Sequence, residues 1–375
     1  MIAIGLGVVS LAVWVGLLFA HHGFWRADVT DEQAFPDPPH WPRVIAVVPA
    51  RDEAEVVGQA IGGLAAQDYP GVFEIILIDD GSSDGTGGIA RDAGGERVRV
   101  LPGSALPSGW TGKLWAMEQG VRAAGRSADY LWFTDADIAH APDTLRMLVA
   151  RAAAEGLVLH TLMAELRCES PAERAFVPAF VFFFQMLYPF AAVNDPASGV
   201  AGAAGGCMLV DPAALARAGG LATIARALID DCAMGKAMKA QGRVRLSLTR
   251  RSVSVRPYGG WREIGAMIAR SAYAQLDYSP LLLAGTVAGM ALLFLVPPGL
   301  ALFGTLWARL LGLLAWGAMI VAYRPMLRFY RIAAWEAAAL PLVGLFYTGC
   351  TLASAIQHWQ GRGGMWKGRA QAMRT

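Results

Sequence analysis

Three groups of acidic residues give this sequence its chemistry. Asp135-Ala136-Asp137 follows the apolar run Tyr130–Thr134. Two carboxylates at i and i+2, where a strand ends, can share one hard divalent cation and leave its other positions to phosphate oxygens and water. Such a cation would neutralise charge building on a departing diphosphate. The same pair also reads as an acidic surface turn before a helix that starts near Ala141-Pro142-Asp143. The second group is Asp79-Asp80-Gly81-Ser82-Ser83-Asp84-Gly85-Thr86. Carboxylates there can accept hydrogen bonds from a base N–H or from ribose hydroxyls, while Ser82, Ser83 or Asp84 suits the N-cap of a following helix. Both roles can hold together. The third group, Asp230-Asp231, opens a helix-like segment, Cys232 to Gln241. Acids at a helix start favour the dipole, and one of them could equally act as general base beside an acceptor hydroxyl. Lys113 follows a loop rich in small residues, Pro107-Ser108-Gly109-Trp110-Thr111-Gly112. A cation at a helix start there suits a phosphate.

Several other chemistries lack their residues. Leu114 follows Lys113, so the loop is not a Walker A motif, and no G-x-G-x-x-G follows a strand. No G-x-S-x-G elbow occurs. The six histidines flank apolar blocks, lie in a linker or stand alone. Cys168, Cys207, Cys232 and Cys350 show no C-x-x-C spacing and read as free thiols in a reducing compartment.

The elements that must position these acids alternate. Val44–Val48 reads as a buried strand, followed by Arg51-Asp52-Glu53 and a helix to about Gln67. Strands are expected at 74–78, 98–101 and 130–134, with a helix over 113–124. This order predicts an α/β fold with a mainly parallel sheet. Ligands bind beyond the carboxyl ends of such strands, and the polar residues cluster there.

The 375 residues are 55% hydrophobic and 17% charged, against about 25% charged in an ordinary soluble domain. A net charge of +2 gives no footprint for a polyanion, so no nucleic-acid partner is expected. The apolar excess lies in blocks. Ile2–Ala20 is uncharged and long enough to cross a bilayer. It lacks the basic start and small-residue cleavage site of a signal peptide. Leu281–Phe303, Gly304–Tyr323 and Ala333–Gln357 follow. An aromatic stretch, Ala175–Val193, reads as a membrane-surface helix or hydrophobic patch. The chain therefore divides into an anchor (1–22), a Pro-rich linker (23–42), a catalytic-type domain (43–258), an interfacial helix (259–280), about three membrane segments (281–357) and a basic tail (358–375). Arg26 weakly places the domain in the cytoplasm. Three later crossings would then leave the basic tail outside, unless one block is re-entrant or interfacial.

Taken together, Val47-Val48-Pro49-Ala50-Arg51-Asp52-Glu53, Ile78-Asp79-Asp80-Gly81-Ser82-Ser83-Asp84, Gly112-Lys113, Thr134-Asp135-Ala136-Asp137 and Gly219-Gly220 before Ile229-Asp230-Asp231 resemble the family-two glycosyltransferases of the GT-A fold. The resemblance implies a Rossmann-like GT-A domain and inverting transfer of a sugar from a nucleotide sugar, often a UDP-sugar, to a hydroxyl. It implies that Asp79 and Asp80 bind the nucleoside, that Pro49, Ala50 and Glu53 line the same pocket, and that Lys113 lies near the diphosphate. Asp135 and Asp137 would hold Mg²⁺ or Mn²⁺, with Asp137 the direct ligand. Asp231 matches the catalytic base, and Asp230 stands where Glu is commoner. The Q-x-x-R-W motif of processive members is missing; Met267-Ile268-Ala269-Arg270-Ser271 stands there, leaving Trp261, Arg262 and Arg270 as candidates near the acceptor. Trp110–Trp115, Tyr278-Ser279-Pro280 and the tail Gly361–Arg369 resemble the hopene-associated branch, which implies an isoprenoid or hopanoid lipid acceptor at a bacterial-type cytoplasmic membrane. Two other readings compete. A transporter or scaffold with a degenerate nucleotide-binding domain would need polar groups at membrane depth, where Arg309 stands almost alone. A phosphosugar nucleotidyltransferase would need a Gly-rich loop where Pro49-Ala50-Arg51-Asp52 stands.

Overall fold

The computed structural model describes residues 1–363 and the backbone of 365–366 and 369–370. Gly364, Lys367, Gly368 and residues 371–375 of the basic tail lie outside the described residues. After the N-terminal helix α1 (Ile2–Phe19), the chain alternates β1 (Val44–Ala50), α2 (Val57–Ala65), β2 (Phe73–Asp79), α3 (Thr86–Gly94), β3 (Val98–Pro102), α4 (Gly112–Ala124) and β4 (Tyr130–Phe133). Then come β5 (Ile138–His140), α5 (Thr144–Glu155), β6 (Leu157–Glu165), α6 (Pro171–Leu187), α7 (Phe190–Asn194), β7 (Met208–Val210), α8 (Pro212–Arg217), α9 (Asp230–Lys239), β8 (Arg243–Ser254) and α10 (Trp261–Ser271).

Eight strands form one sheet in the order β3-β2-β1-β4-β7-β6-β8-β5. The expectation of a mainly parallel sheet fits its first half, where β3, β2, β1 and β4 run parallel. Beyond β4 the sheet is mixed: β7 runs antiparallel to both neighbours, and β5 antiparallel to β8. For β5 the reason is chain length. A parallel return needs a crossover of about a dozen residues, and only residues 134–137 separate β4 from β5. That connection also curls the sheet. Four strand spacings of about 4.8 Å would put β5 about 19 Å from β4 in a flat sheet. Fully stretched chain from Phe133 to Ile138 reaches at most about 18 Å, and this segment is folded, with the Ile138 N–H donating to the Asp135 carbonyl at 3.2 Å. The sheet therefore bends into a half-barrel, and Asp135 and Asp137 lie in the short link that closes it.

β1 is buried along its whole length because parallel neighbours flank it and helices cover both faces. One face packs Val44, Ala46 and Val48 against Ile61 and Leu64 of α2 and Leu145, Leu148 and Val149 of α5. The other packs Ile45 and Val47 against Leu114 and Met117 of α4. That second core continues into the C-terminal helices: α11 (Pro280–Met290), a π-helical turn (Ala291–Leu295), α12 (Val296–Phe303), α13 (Leu306–Phe329) and α14 (Leu340–Trp359). Among the described residues, four segments are long and apolar enough to cross a membrane: Ile2–Phe19, Pro280–Phe303, Leu306–Phe329 and Ala334–Trp359.

Two segments differ from expectation. The aromatic stretch at 175–193 does not lie on a surface. Val177, Val181, Phe182 and Phe190 are buried, Phe176 stacks on Phe346 at 4.0 Å and Phe182 meets the edge of Tyr323 at 5.1 Å. It joins the sheet domain to the apolar helices. The linker is likewise fastened. The Leu248 N–H donates to the Val29 carbonyl at 2.9 Å, and the Asp31 N–H donates to the Leu248 carbonyl at 3.1 Å. The buried Asp31 carboxylate accepts from Thr249 Oγ1 at 2.5 Å.

Helix α9, which carries Asp230 and Asp231, is pressed against the 202–203 backbone. A Cβ at Gly235 would lie 2.5 Å from the Gly202 carbonyl carbon. Gly235→Ala is expected to cost about 1–3 kcal/mol, the usual range for overpacking, and to lower Tm in detergent. An unchanged Tm would show that this contact is not close.

Candidate active site

Asp135 and Asp137 project from the β4–β5 link, and two cations from distant parts of the chain meet them. Lys113 is the second residue of α4, whose start is capped by Thr111 Oγ1 accepting from the Leu114 N–H. Its Nζ lies 2.9 Å from Asp135 Oδ1 and 3.1 Å from Asp230 Oδ2. Arg256, just beyond β8, donates from Nε to Asp137 Oδ2 at 2.7 Å and from Nη2 to Glu53 Oε2. Asp231 begins α9 beside Asp230. Its Oδ1 accepts from the Cys232 N–H at 2.7 Å and its Oδ2 from the Gly205 N–H at 3.1 Å.

These seven groups are coupled. Burial works against the charge on Lys113, but Asp135, Asp230 and Asp231 outweigh it and hold the ammonium above its usual range. Burial also opposes Arg256, and Asp137 and Glu53 prevail in the same way. Asp135 is raised by burial, which Lys113 offsets and Asp137 and Asp230 reinforce. Asp231 is pushed up to about 6 by burial and then by the negative charge of Asp230, with Lys113 and two backbone N–H groups opposing.

Five carboxylates (Glu53, Asp135, Asp137, Asp230, Asp231) thus meet two cations (Lys113, Arg256), five minus two leaving a formal excess of three negative charges. Asp230 Oδ2 is buried and accepts no hydrogen bond of good geometry, although Lys113 Nζ is near. Such a site suits a divalent cation. Among the described residues no three His, Cys, Asp or Glu side chains group to hold a metal. A hard ion on Asp135 and Asp137 would then complete its shell with phosphate oxygens and water, as Mg²⁺ characteristically does.

All these groups line a cavity of about 690 Å³. Its polar half also includes Pro49, Thr111 and Tyr258. Its other half is apolar: Phe180, Phe183 and Phe184 of α6, Met290 at the end of α11, and Tyr347 of α14. Of the residues singled out from sequence, Pro49, Glu53, Lys113, Asp135, Asp137, Asp230, Asp231 and Arg270 come together here. Ala50, Asp79 and Asp80 sit at the adjoining ends of β1 and β2, outside this lining. Asp79 Oδ1 accepts the Ser82 N–H at 2.9 Å. Asp80 Oδ2 lies 3.5 Å from Arg51 Nη1. Ala50 is buried, and its carbonyl accepts the Asp80 N–H. Trp261 and Arg262 are exposed on the first turn of α10, with the guanidinium 5.4 Å from the indole centroid. Sequence reasoning missed Arg256, Tyr258, Tyr188 and Gln275. The one signal for Arg256 was a basic residue in Val255-Arg256-Pro257-Tyr258 at a strand end, which is weak without knowing what β8 faces.

Residues 45–217 match Glycosyl transferase family 2. The chain carries a family-two glycosyltransferase domain. A 92-residue segment is 33% identical to the 4,4'-diaponeurosporenoate glycosyltransferase of Staphylococcus aureus, covering 24% of this chain and 23% of that relative. The chain thus spans under a quarter of the curated relatives it matches. The fold is similar to that of a mannosyltransferase from Pyrobaculum calidifontis solved with GDP-Man and Mn²⁺, with a TM-score of 0.58 and 19% identity over 96% of this chain and 99% of that one. The chain therefore has the expected GT-A type of fold, its sheet parallel at four of seven strand pairings, with the antiparallel ones all beyond β4.

With Asp231 as the base proposed below, its raised pKa would set a pH dependence. A base works unprotonated, so kcat/KM should be full well above pH 6 and fall tenfold per unit below it. The apparent pKa near 6 belongs to the Asp230–Asp231 pair. A rate profile flat from pH 7.5 to 5 would remove Asp231 from the base role.

Proposed function

We propose that the glycosyltransferase moves a sugar from a nucleotide sugar, a UDP-sugar by family resemblance, to a hydroxyl of a membrane lipid of isoprenoid type, hopanoids included. The observation that carries this reading is the shape of the cavity. It begins at the acidic cluster and runs to Met290, ten residues beyond Pro280. Ten helical residues rise about 15 Å, half of a hydrocarbon core about 30 Å thick. A soluble acceptor has no use for such a chamber; a lipid with a hydroxyl at one end fits both halves. The name of the Staphylococcus aureus relative supports a lipid acceptor.

In this reading Asp231 takes the proton from the acceptor hydroxyl, whose oxygen attacks the anomeric carbon. The bond from that carbon to the diphosphate breaks, with inversion. Lys113 and Arg256 are placed to turn from carboxylates to phosphate oxygens as the donor arrives. Pro49 and Glu53 line the nucleotide end, and Asp79 and Asp80 hold the loop that receives the nucleoside. Mg²⁺ or Mn²⁺ on Asp135 and Asp137 would supply charge neutralisation on the diphosphate. Arg270 lies on the acceptor side of the cavity.

The same reading places the domain on the cytoplasmic face, with three crossings rather than four. α1, the α11–α12 segment and α13 cross. The last apolar segment does not cross: its start meets the sheet domain, and its end meets the 273–278 turn between α10 and α11. At its start Arg331 pairs with Glu165 at 2.8 Å and Glu336 lies 3.5 Å from Arg174. At its end Ser354 Oγ accepts the Tyr273 N–H at 3.0 Å, and His358 stacks on Tyr278 at 4.3 Å. Arg26, Arg324, Arg328, Arg331 and the basic tail then share one side, as the positive-inside rule asks.

Two experiments test these points. Membranes containing the protein, given a panel of nucleotide sugars, Mn²⁺ or Mg²⁺ and total lipid, should yield a glycosylated lipid by mass spectrometry. Asp137→Ala should lose metal-dependent turnover, and Asp231→Ala should lose transfer by at least 100-fold while retaining nucleotide binding. Full activity in either variant refutes that residue's role. For topology, a fluorescent protein fused after Thr375 should fold, and alkaline phosphatase there should stay inactive. The reverse result would mean that α14 crosses.

A further inference from the structure

Between the acidic half of the cavity and its apolar half stand two polar side chains to which the reaction gives no task. Tyr188 ends α6, and Gln275 lies in the turn Ala274–Leu276 between α10 and α11. Both line the cavity. The Tyr188 hydroxyl lies 3.0 Å from Gln275 Oε1 and 2.8 Å from Gln275 Nε2, within bonding reach of either end of the amide. The Tyr188 ring is fixed against Gly202, where a Cβ would lie 3.2 Å from it. Its hydroxyl also neighbours Cys232, the residue after the base, and feels the charge of Asp231.

A primary amide offers two donors and two acceptor lone pairs, and a phenol one donor and two. Their mutual bond uses only part of that capacity. In a cavity also walled by Phe183, Phe184 and Met290, spare hydrogen-bonding capacity is what holds one polar group of a ligand in register.

We infer that Tyr188 and Gln275 form an acceptor-positioning site, and that the acceptor is an apolar body carrying a second hydroxyl beside the one that is glycosylated. The inference rests on the lipid-acceptor reading above and narrows it from lipid alcohols to lipid diols or polyols. Tyr188 and Gln275 are positioning residues, holding the second hydroxyl so that the first meets Asp231. A site built to bond a hydroxyl discriminates strongly against analogues that lack it, because its own polar groups are then left unpaired.

The test uses the full-length protein in detergent with two synthetic acceptors of equal chain length, a long-chain 1,2-diol and the matching primary alcohol. Wild type should favour the diol at least tenfold in kcat/KM. Tyr188→Phe and Gln275→Ala should each bring that ratio close to one by raising KM for the diol, with donor KM and the slow hydrolysis of donor by water unchanged. Equal use of both acceptors by the wild type, or a diol preference kept in both variants, would overturn the inference. Donor hydrolysis without transfer to any lipid alcohol would overturn the lipid-acceptor reading instead. Tyr188→Trp, which keeps a large ring at Gly202 without a phenol, should match Tyr188→Phe in selectivity; restored diol preference there would mean that packing alone sets it.

Discussion

The structure depends on a connection too short to reach. Residues 134–137 must join β4 to a strand four places away in the sheet, and a flat sheet would put that strand beyond their span. The sheet curls, and the curl defines the site. It brings the end of β8, with Arg256, across to Asp137, and it leaves room for α9 to bring Asp230 to Lys113. Asp135 and Asp137 are part of the segment under constraint, so their placement and the closure of the half-barrel are one event.

The electrostatics follow from that placement. Carboxylates crowded into a partly buried pocket repel one another, and the chain answers with two long cations, each held between two acids. Neither pairing is a stability device in the first place. Exposed pairs contribute little, and buried ones must overcome a desolvation penalty of several kcal/mol per ion. In the function proposed above, the arrangement is a charged site kept in order until a polyanion and its counter-ion arrive, when the same two cations can change partners. Asp231 stands apart, held by two backbone N–H groups rather than by a cation of its own, and its raised pKa follows from burial beside Asp230.

The membrane helices enter this account through packing. Val47 on β1, Met117 on α4, Phe182 on α6 and Tyr323 on α13 belong to one continuous core. The domain is therefore packed directly on the C-terminal apolar helices. A cavity shared between them can hold a molecule that is polar at one end and apolar at the other. Such continuity explains why α6, which reads from its Phe residues as a surface helix, is an interior element: its aromatic faces are covered by protein on more than one side.

Much of this was legible in the residues. The apolar runs placed β1 to β4 to within two residues at each end, because the largely buried strands β1, β2 and β4 are written as nearly unbroken apolar runs. Asp135, Asp137, Asp230, Asp231 and Lys113 stood out because acids at strand ends and a lysine at a helix start carry a local signal. Four apolar blocks were visible as length and composition. What only the tertiary structure decided were relations between distant segments. The mixed half of the sheet depends on which strands pair, and pairing is not written in any one strand. Arg256 lies 119 residues from Asp137, and no local pattern marks an arginine as the partner of an acid so far away. Tyr188 and Gln275 meet across 87 residues for the same reason. For the last apolar segment the structure adds what its two ends touch, since a window of hydropathy measures only how greasy a helix is and not where its ends are held.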